Sequence, residues 1–314
     1  MTIATMITID EATVYEITLV KKSSDKILFR VVLFFLSWSL LPGAIHAQIQ
    51  IGVDANYLTP TQSFYYNDKT NMTSANYSVT RSAKRISLGT GINFGIHGAY
   101  LIKGVFGPEL GVNYQESNNY VSKYDMTFFS SESVHATSEL SATSLQGFVG
   151  ARYQSKYVLI KKIQPFASAG LLLGIGTRHK EVYHEEHYMN PGPGPATTSI
   201  IEQQLDYTGG TAYGIYFRSG FVFPINNRLL LQAHFSYNGL SWAPQRAKYS
   251  RYVVDGVDQL PFMDKQDKEV EFVESYDTSQ HSPDKPDQTL KFNLPYSGLG
   301  GGIRVIMVLG GADN

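Results

Sequence analysis

Residues 211–242, TAYGIYFRSGFVFPINNRLLLQAHFSYNGLSW, alternate between apolar and small or polar side chains in two successive halves. A period of two is the signature of a strand with two unlike faces, and it constrains this chain more than any other feature. In the first half Tyr213, Ile215, Phe217, Phe221 and Phe223 share one face, while Ala212, Gly214, Tyr216, Arg218 and Gly220 share the other. In the second, Leu229, Leu231, Ala233, Phe235 and Tyr237 oppose Gln232, His234, Ser236 and Asn238. Pro224 to Asn227 between them supply a tight turn of the Pro/Asn kind. The pattern predicts a hairpin of two strands, each about 13 residues, against a usual length of about five or six.

The same alternation recurs along the chain. It predicts strands over 48–58, 86–101, 106–115, 141–153 and 163–177, then the hairpin, then a final strand over 293–309. In the second of these Ile86, Leu88, Ile92, Phe94, Ile96 and Tyr100 form the apolar face; in the last it is Leu299, Ile303, Val305, Met307 and Leu309. Short connections at 102–105, 155–162 and 224–227 alternate with long polar stretches at 59–84, 116–139, 178–210 and 243–290. The third stretch contains PGPGP at Pro191 to Pro195, which breaks regular structure. An even strand number with short turns at one rim and long loops at the other is the pattern of outer-membrane barrels. The expected fold is therefore all-β: an eight-stranded antiparallel up-and-down transmembrane β-barrel with short periplasmic turns and long extracellular loops. Both mature termini fall at the turn rim, and eight strands leave a lumen filled by side chains rather than an open channel.

Composition decides which face is outside. Only 17% of the residues are charged, against about 25% in ordinary domains, and Lys is confined to turns and loops. A barrel in water would cover its outer face with Lys and Glu. Here the less apolar face carries Gly, Ser, Asn and Gln, which suit a crowded lumen. Aromatics on the other face cluster near strand ends, Tyr57, Tyr114, Tyr213 and Tyr237 toward the loops and Tyr100, Phe106, Tyr153 and Phe223 toward the turns. Two such rows match the aromatic girdles of membrane interfaces. Lipid and lipopolysaccharide of the outer membrane are the expected surroundings, with a protein partner outside the cell or in secretion machinery reached through the long loops.

The N-terminus agrees with export. Lys21, Lys22, Lys26 and Arg30 precede the apolar run VVLFFLSWSLL at 31–41, followed by Pro42, Gly43 and the small-residue exit from Ala44 to Ala47. That order reads as a secretory signal peptide over 1–47, cut after Ala47, with the barrel domain over 48–314. The run falls well short of the roughly 20 residues of a spanning helix. Asp10, Glu11 and Glu16 are out of place in such a leader, and a true translation start downstream of Met1 accounts for them.

A formal charge of -1 leaves no basic footprint, so nucleic acid is not an expected partner. Without Cys there is no disulfide framework or thiolate site, and no stretch reads as a cofactor-binding motif. On the inward face Asp54 and Glu109 are placed to pair with Arg152, Arg218 and Arg304, with His97 and His234 nearby. Charges in a narrow lumen are costly unless paired, so a structural polar core is the first reading and an ion or proton path the second. In RHKEVYHEEHY, His179, His184 and His187 stand among Glu181, Glu185 and Glu186. Such a set suits a divalent cation only where the backbone holds fixed geometry, so the metal reading is the weaker one. Asp264, Asp267, Glu269, Glu271 and Glu274 read as solvated loop surface.

Two resemblances attach to the hairpin. His234-Phe235-Ser236, then Asn238-Gly239-Leu240, resembles the His-x-Ser-Asn segment of lipid A deacylases, outer-membrane esterases in which a His activates a Ser. That implies His234 and Ser236 as a catalytic pair, yet Tyr237 intervenes before the Asn, and the alternation turns both residues inward, away from lipid. The run of Leu from Leu229 with Gly239-Leu240 near the strand end, the Gly-rich stretch from Leu88 to Gly98 and the signal-plus-barrel plan are similar to the PorT-type, OmpX- and OmpA-like family of small outer-membrane β-barrels. This resemblance covers the whole mature chain. It implies a small integral outer-membrane barrel with a role in envelope integrity, adhesion or secretion, and assigns no catalytic residue. A non-enzymatic structural or surface-interaction role is the first reading because most non-strand residues lie in long loops rather than in a convergent polar site. Such barrels end on an aromatic residue, whereas this sequence closes Val308-Leu309-Gly310-Gly311-Ala312-Asp313-Asn314.

Overall fold

A computed structural model describes residues 47–61, 64–73, 78–128, 132–156, 163–190, 195–276 and 282–309. The expected signal segment up to His46, most of the 155–162 connection and all of the PGPGP run but its last proline lie outside the described residues.

Numbered in chain order, the long strands are β1 (Ala47–Pro60), β4 (Gly91–Ile102), β5 (Phe106–Ser117), β7 (Glu132–Gln154), β8 (Gln164–Met189), β10 (Ala212–Pro224), β11 (Leu229–Trp242) and β17 (Gly298–Leu309). Antiparallel pairings run from β1 through β4, β5, β7, β8, β10 and β11 to β17, which pairs back onto β1. Ala47 lies opposite Ile102 and Ile49 opposite Leu309. The start of β1, the end of β17 and the short connections therefore share one rim.

The expectation of a simple eight-stranded barrel is nevertheless wrong. Among the described residues there are seventeen strands in one mixed sheet. Stretches read as bare loops hold β2 (Phe64–Thr73), β3 (Ser78–Ile86), β6 (Tyr120–Phe128), β9 (Thr197–Thr208), β12 (Arg246–Val254), β13 (Val257–Asp258), β14 (Glu269–Val273) and β15 (Asp287–Leu290), and the expected final strand over 293–309 is split into β16 (Leu294–Pro295) and β17. β2 pairs with β6, and β14 with β15, in parallel. A four-residue helix, α1 (Lys265–Lys268), interrupts the last stretch. The ring is also uneven, because β7 and β8 run 23 and 26 residues while β4, β5 and β17 run 12.

The physical reason lies in β7 and β8. Polar stretches rich in Ser, Thr, Tyr and Val form strands readily when a neighbour satisfies their backbone groups, and these two pair with each other from Gln154 and Phe166 out to Glu132 and Met189. They hold β6 and β9 on either side, and β9 holds β12. Where the ring gives way to this outer sheet the register slips between Thr143 and Leu145. Gly176 there has φ of 67°, so two residues of β8 oppose one of β7, the form of a bulge that needs glycine. An extra residue flips the face of everything beyond it.

A second phase break corrects the reading of 86–101. Ile86 closes β3, residues 87–90 turn, and β4 begins only at Gly91. Ile92, Phe94 and Ile96 are exposed, but Ile86 and Leu88 are buried.

Inside the ring the side chains form three layers. Next to the short connections Phe166, Val222, Leu230, Ile306 and Val308 make an apolar floor. Toward the outer sheet Leu88, Phe148, Leu172, Tyr216, Leu240, Trp242, Leu294 and Tyr296 make an apolar lid, with Trp242 and Tyr296 in edge contact at 5.7 Å. Charged and amide side chains fill the space between. The outward face is the reverse: Ile96, Leu110, Tyr213 and Phe235 expose 61 to 72% of their surface, and this apolar band continues on every ring strand.

Candidate functional site

β17 shows how the middle layer is built. Its inward positions run Val308 and Ile306 in the floor, Arg304, then glycines at 302, 300 and 298. A Cβ at Gly302 would meet Asn56 Oδ1, and Arg304 is fully buried. Its Nη1 donates to Glu109 Oε1 at 2.7 Å and its Nη2 to Asp54 Oδ2 at 3.5 Å. Arg304 thus bridges β5 and β1 through both inward carboxylates. Gly95, opposite Asp54 on β4, is needed here because a Cβ would meet the Asp54 and Asn113 side-chain oxygens.

Arg152 on β7 donates through Nη2 to Gln232 Oε1 at 2.8 Å and to Gln154 Oε1 at 3.4 Å, with Nη1 3.8 Å from Glu109. Its guanidinium carbon lies 4.7 Å from the centre of the Phe166 ring, so the floor also caps the charge. Arg218 on β10 is held differently. Its Nη2 is 3.7 Å from Asp54 Oδ2, while its guanidinium carbon lies 4.6 Å from the Phe148 ring centre and 5.3 Å from that of Tyr216. The lid supplies those two rings.

His234 on β11 is fixed from both sides: Nε2 lies 2.6 Å from Asn56 Oδ1, and Gln232 Nε2 lies 3.3 Å from Nδ1. A donating Nε2 and an accepting Nδ1 satisfy this pattern. Asn56 in turn donates to Asp54 Oδ2 at 3.0 Å. His97 is buried with no hydrogen-bond partner at either ring nitrogen. Asp54, Glu109, Arg152, Arg218, Arg304, His97 and His234 therefore stand in one buried layer. Gln232, whose inward place the alternation of β11 gives, links this layer together with Gln154 and Asn56, and Phe148 and Phe166 cap it. Their signal was parity: each falls on the inward face of its strand.

His234 and Ser236 share that face and both are buried. His234 contacts Asn56 and Gln232 rather than Ser236, whose Oγ has no hydrogen-bond partner.

The three histidines of β8 lie beyond the bulge. Thr177 and His179 are buried on the inner face, which before the bulge belonged to even-numbered residues. His179 Nδ1 donates to Ser141 O at 3.0 Å, its ring lies 5.0 Å from that of Tyr207, and burial lowers its pKa. His187 is on the same face as His179, about 26 Å further along the strand, and contacts Glu132 Oε1 at 2.7 Å. His184 projects from the opposite face toward Glu186 at 3.4 Å. Among the described residues no group of three His, Asp or Glu side chains is disposed around a metal ion.

The acidic stretch is partly paired. Lys248 Nζ lies 2.9 Å from Glu269 Oε1 and Lys291 Nζ 3.4 Å from Glu274 Oε1. An open groove of about 440 Å³ beside them is lined by Gln245, Arg246, Glu271, Phe272, Glu274 and Lys291. The eight strand-end aromatics, Tyr57, Tyr100, Phe106, Tyr114, Tyr153, Tyr213, Phe223 and Tyr237, all point outward, and none is buried. No helix among the described residues is long and apolar enough to cross a membrane, which says nothing of strands.

No family model matches the chain. No curated protein sequence matches it either. Among solved structures it is similar to an outer-membrane channel from Pseudomonas putida F1, at 10% identity over 86% of this chain and 97% of that one, with a TM-score of 0.23. A likeness that loose carries no argument about this chain. The PorT-type resemblance rests on the residues quoted for it alone.

Proposed function

We propose that this protein is an integral outer-membrane β-barrel protein with a closed lumen, non-enzymatic, whose outer sheet serves as a structural or surface-interaction module. The observation that carries this reading is the inverted distribution of side chains around the ring. Outward positions on the ring strands are apolar and largely exposed, while the middle layer of the inward face is charged or amide-bearing and buried. A sheet in water buries its apolar face and exposes its polar one, and soluble proteins rarely leave contiguous apolar patches beyond a few hundred Å². Along β17 the band from Leu299 to Leu309 spans about 25 Å at the usual strand tilt, the height of a lipid-facing band.

The closed lumen follows from the floor, the lid and the bridged charges between them. Secretion, adhesion and envelope integrity are the roles that fit a protein whose exposed polar surface is mostly outer sheet, with lipid and lipopolysaccharide around its band and a protein partner at its free end. That end is assigned to the cell exterior, and the rim bearing Ala47 and Leu309 to the periplasm. Fractionation with heat-modifiable gel migration tests the location: the protein is expected in the outer membrane and shifted on boiling, and a soluble periplasmic product ends the reading. Steady unit conductance in a planar bilayer would overturn the closed lumen.

A further inference from the structure

We propose that the lumen holds a resident small monovalent anion, of the halide type, seated on a row formed by Arg152, Ser168, Arg218 and Ser236. Strand register brings these four together. Arg152 of β7 lies opposite Ser168 of β8, Ser168 opposite Arg218 of β10, and Arg218 opposite Ser236 of β11. Neighbouring strands are about 4.8 Å apart, so the four inward side chains form one patch across four strands.

Every member of the row is buried to 3% exposure or less. Each carries donors with no hydrogen-bond partner: Arg152 Nε and Nη1, Ser168 Oγ, Arg218 Nε and Nη1, and Ser236 Oγ. Buried polar groups are overwhelmingly satisfied, and leaving charged ones bare is costly. All four side chains can donate, so what satisfies them together is an acceptor.

The charge count gives its sign and size. Three arginines face two carboxylates, Asp54 and Glu109; Arg304 bonds one oxygen of each, and Asp54 Oδ1 and Glu109 Oε2 have no hydrogen-bond partner. One positive charge is therefore in excess. Arg152 and Arg218 approach a carboxylate no closer than 3.8 and 3.7 Å, but Arg152 also donates to Gln232 and Gln154, whereas the other neighbours of Arg218 are rings, so Arg218 is the less compensated of the two. An unpaired cation enclosed between apolar layers is costly, and a single counter-ion removes that cost. A crowded lumen between floor and lid restricts the ion to a small one. Such a site rests on the closed lumen proposed above and is independent of what the outer sheet binds.

Crystals of the detergent-solubilised full chain, grown with bromide in place of chloride, test it by anomalous diffraction. The expected result is a bromide peak in contact with the Arg218 guanidinium. Bromide confined to the outer surface, an adventitious ion only, or no bromide at all, overturns the proposal. Thermal unfolding supplies a second readout on the same protein. Wild type is expected to unfold at a lower temperature in gluconate than in chloride of equal ionic strength, gluconate being too large to enter. Equal temperatures overturn the site. Arg218→Met, which removes the excess charge, is expected to lose the salt difference. Should that variant not fold, the bromide peak and the wild-type comparison still decide.

Discussion

At the residue scale the molecule depends most on Arg304, because one guanidinium bonds both inward carboxylates, Asp54 on the adjacent β1 and Glu109 on β5. Removing one partner of a buried pair leaves the other charge enclosed and costs about 3–5 kcal/mol. Arg304→Met is therefore expected to destabilise the folded barrel by about that much, read by urea unfolding in lipid vesicles. A loss below about 1 kcal/mol, the range of a surface pair, would show that the carboxylates are solvated rather than held by Arg304. The placement of Arg304 follows from parity in its strand, since Val305, Met307 and Leu309 oppose it. Its partners do not, because Asp54 and Glu109 lie 250 and 195 positions away and meet it only through ring closure. The inward place of His179 was hidden for another reason: 178–210 reads as loop, and the residue inserted at Gly176 shifts the inner face of β8 to odd-numbered positions.

At the scale of elements, strands whose two faces contrast are legible from sequence, and strands whose faces do not are hidden. β10 and β11 alternate apolar with small or charged residues and stand out. In β9, TTSIIEQQLDYT, positions 201–207 are all half-buried, and no face is apolar enough to mark. Such strands are held by their neighbours. β12 is held by Arg251 donating to Glu202 on β9 and Lys248 to Glu269 on β14. Those partners lower the pKa of both carboxylates, Arg251 that of Glu202 and Lys248 that of Glu269, from an ordinary 4.5. A depressed carboxylate adds stability above its unfolded pKa and loses it as pH falls through the folded value. Protection of β12 amides, corrected for intrinsic exchange, is expected to fall as pH drops below about 4.5 while β10 and β11 stay protected. Both pairs are exposed, so the effect is small, and unchanged β12 protection at pH 3 would show that backbone pairing alone holds the strand. The tip of β12 tests orientation. Asp255 and Gly256 both have positive φ in the tight turn to β13, and an epitope inserted there is expected to bind antibody on intact cells. Binding only after permeabilisation would reverse the assigned direction.

At the scale of the whole molecule the outward band and the outer sheet both expose apolar side chains, and the proposed membrane location predicts different surroundings for them. Phe235 sits midway along β11, 72% exposed, with Ser219 and Gly301 opposite it on the two adjacent strands. Val257 is also exposed, at 55%, but it lies in β13, beyond the ring. Area alone ranks the two as similar surface positions. A bilayer separates them, since Arg at the midplane of a lipid-facing strand costs about 2–4 kcal/mol, whereas a surface substitution in water costs within about 0.5 kcal/mol. Phe235→Arg is therefore expected to lower folding stability in lipid vesicles several-fold more than Val257→Arg, and to slow heat-modifiable insertion. The comparison is internal, because both variants gain the same charge and neither disturbs the lumen. Equal costs at the two sites would mean that the ring's apolar face meets something other than lipid, such as a second protein surface. The wrongly expected simple barrel does not affect this prediction. The extra strands enlarge the part of the sheet that carries Val257, while the contrast at Phe235 depends only on the outward face of the ring.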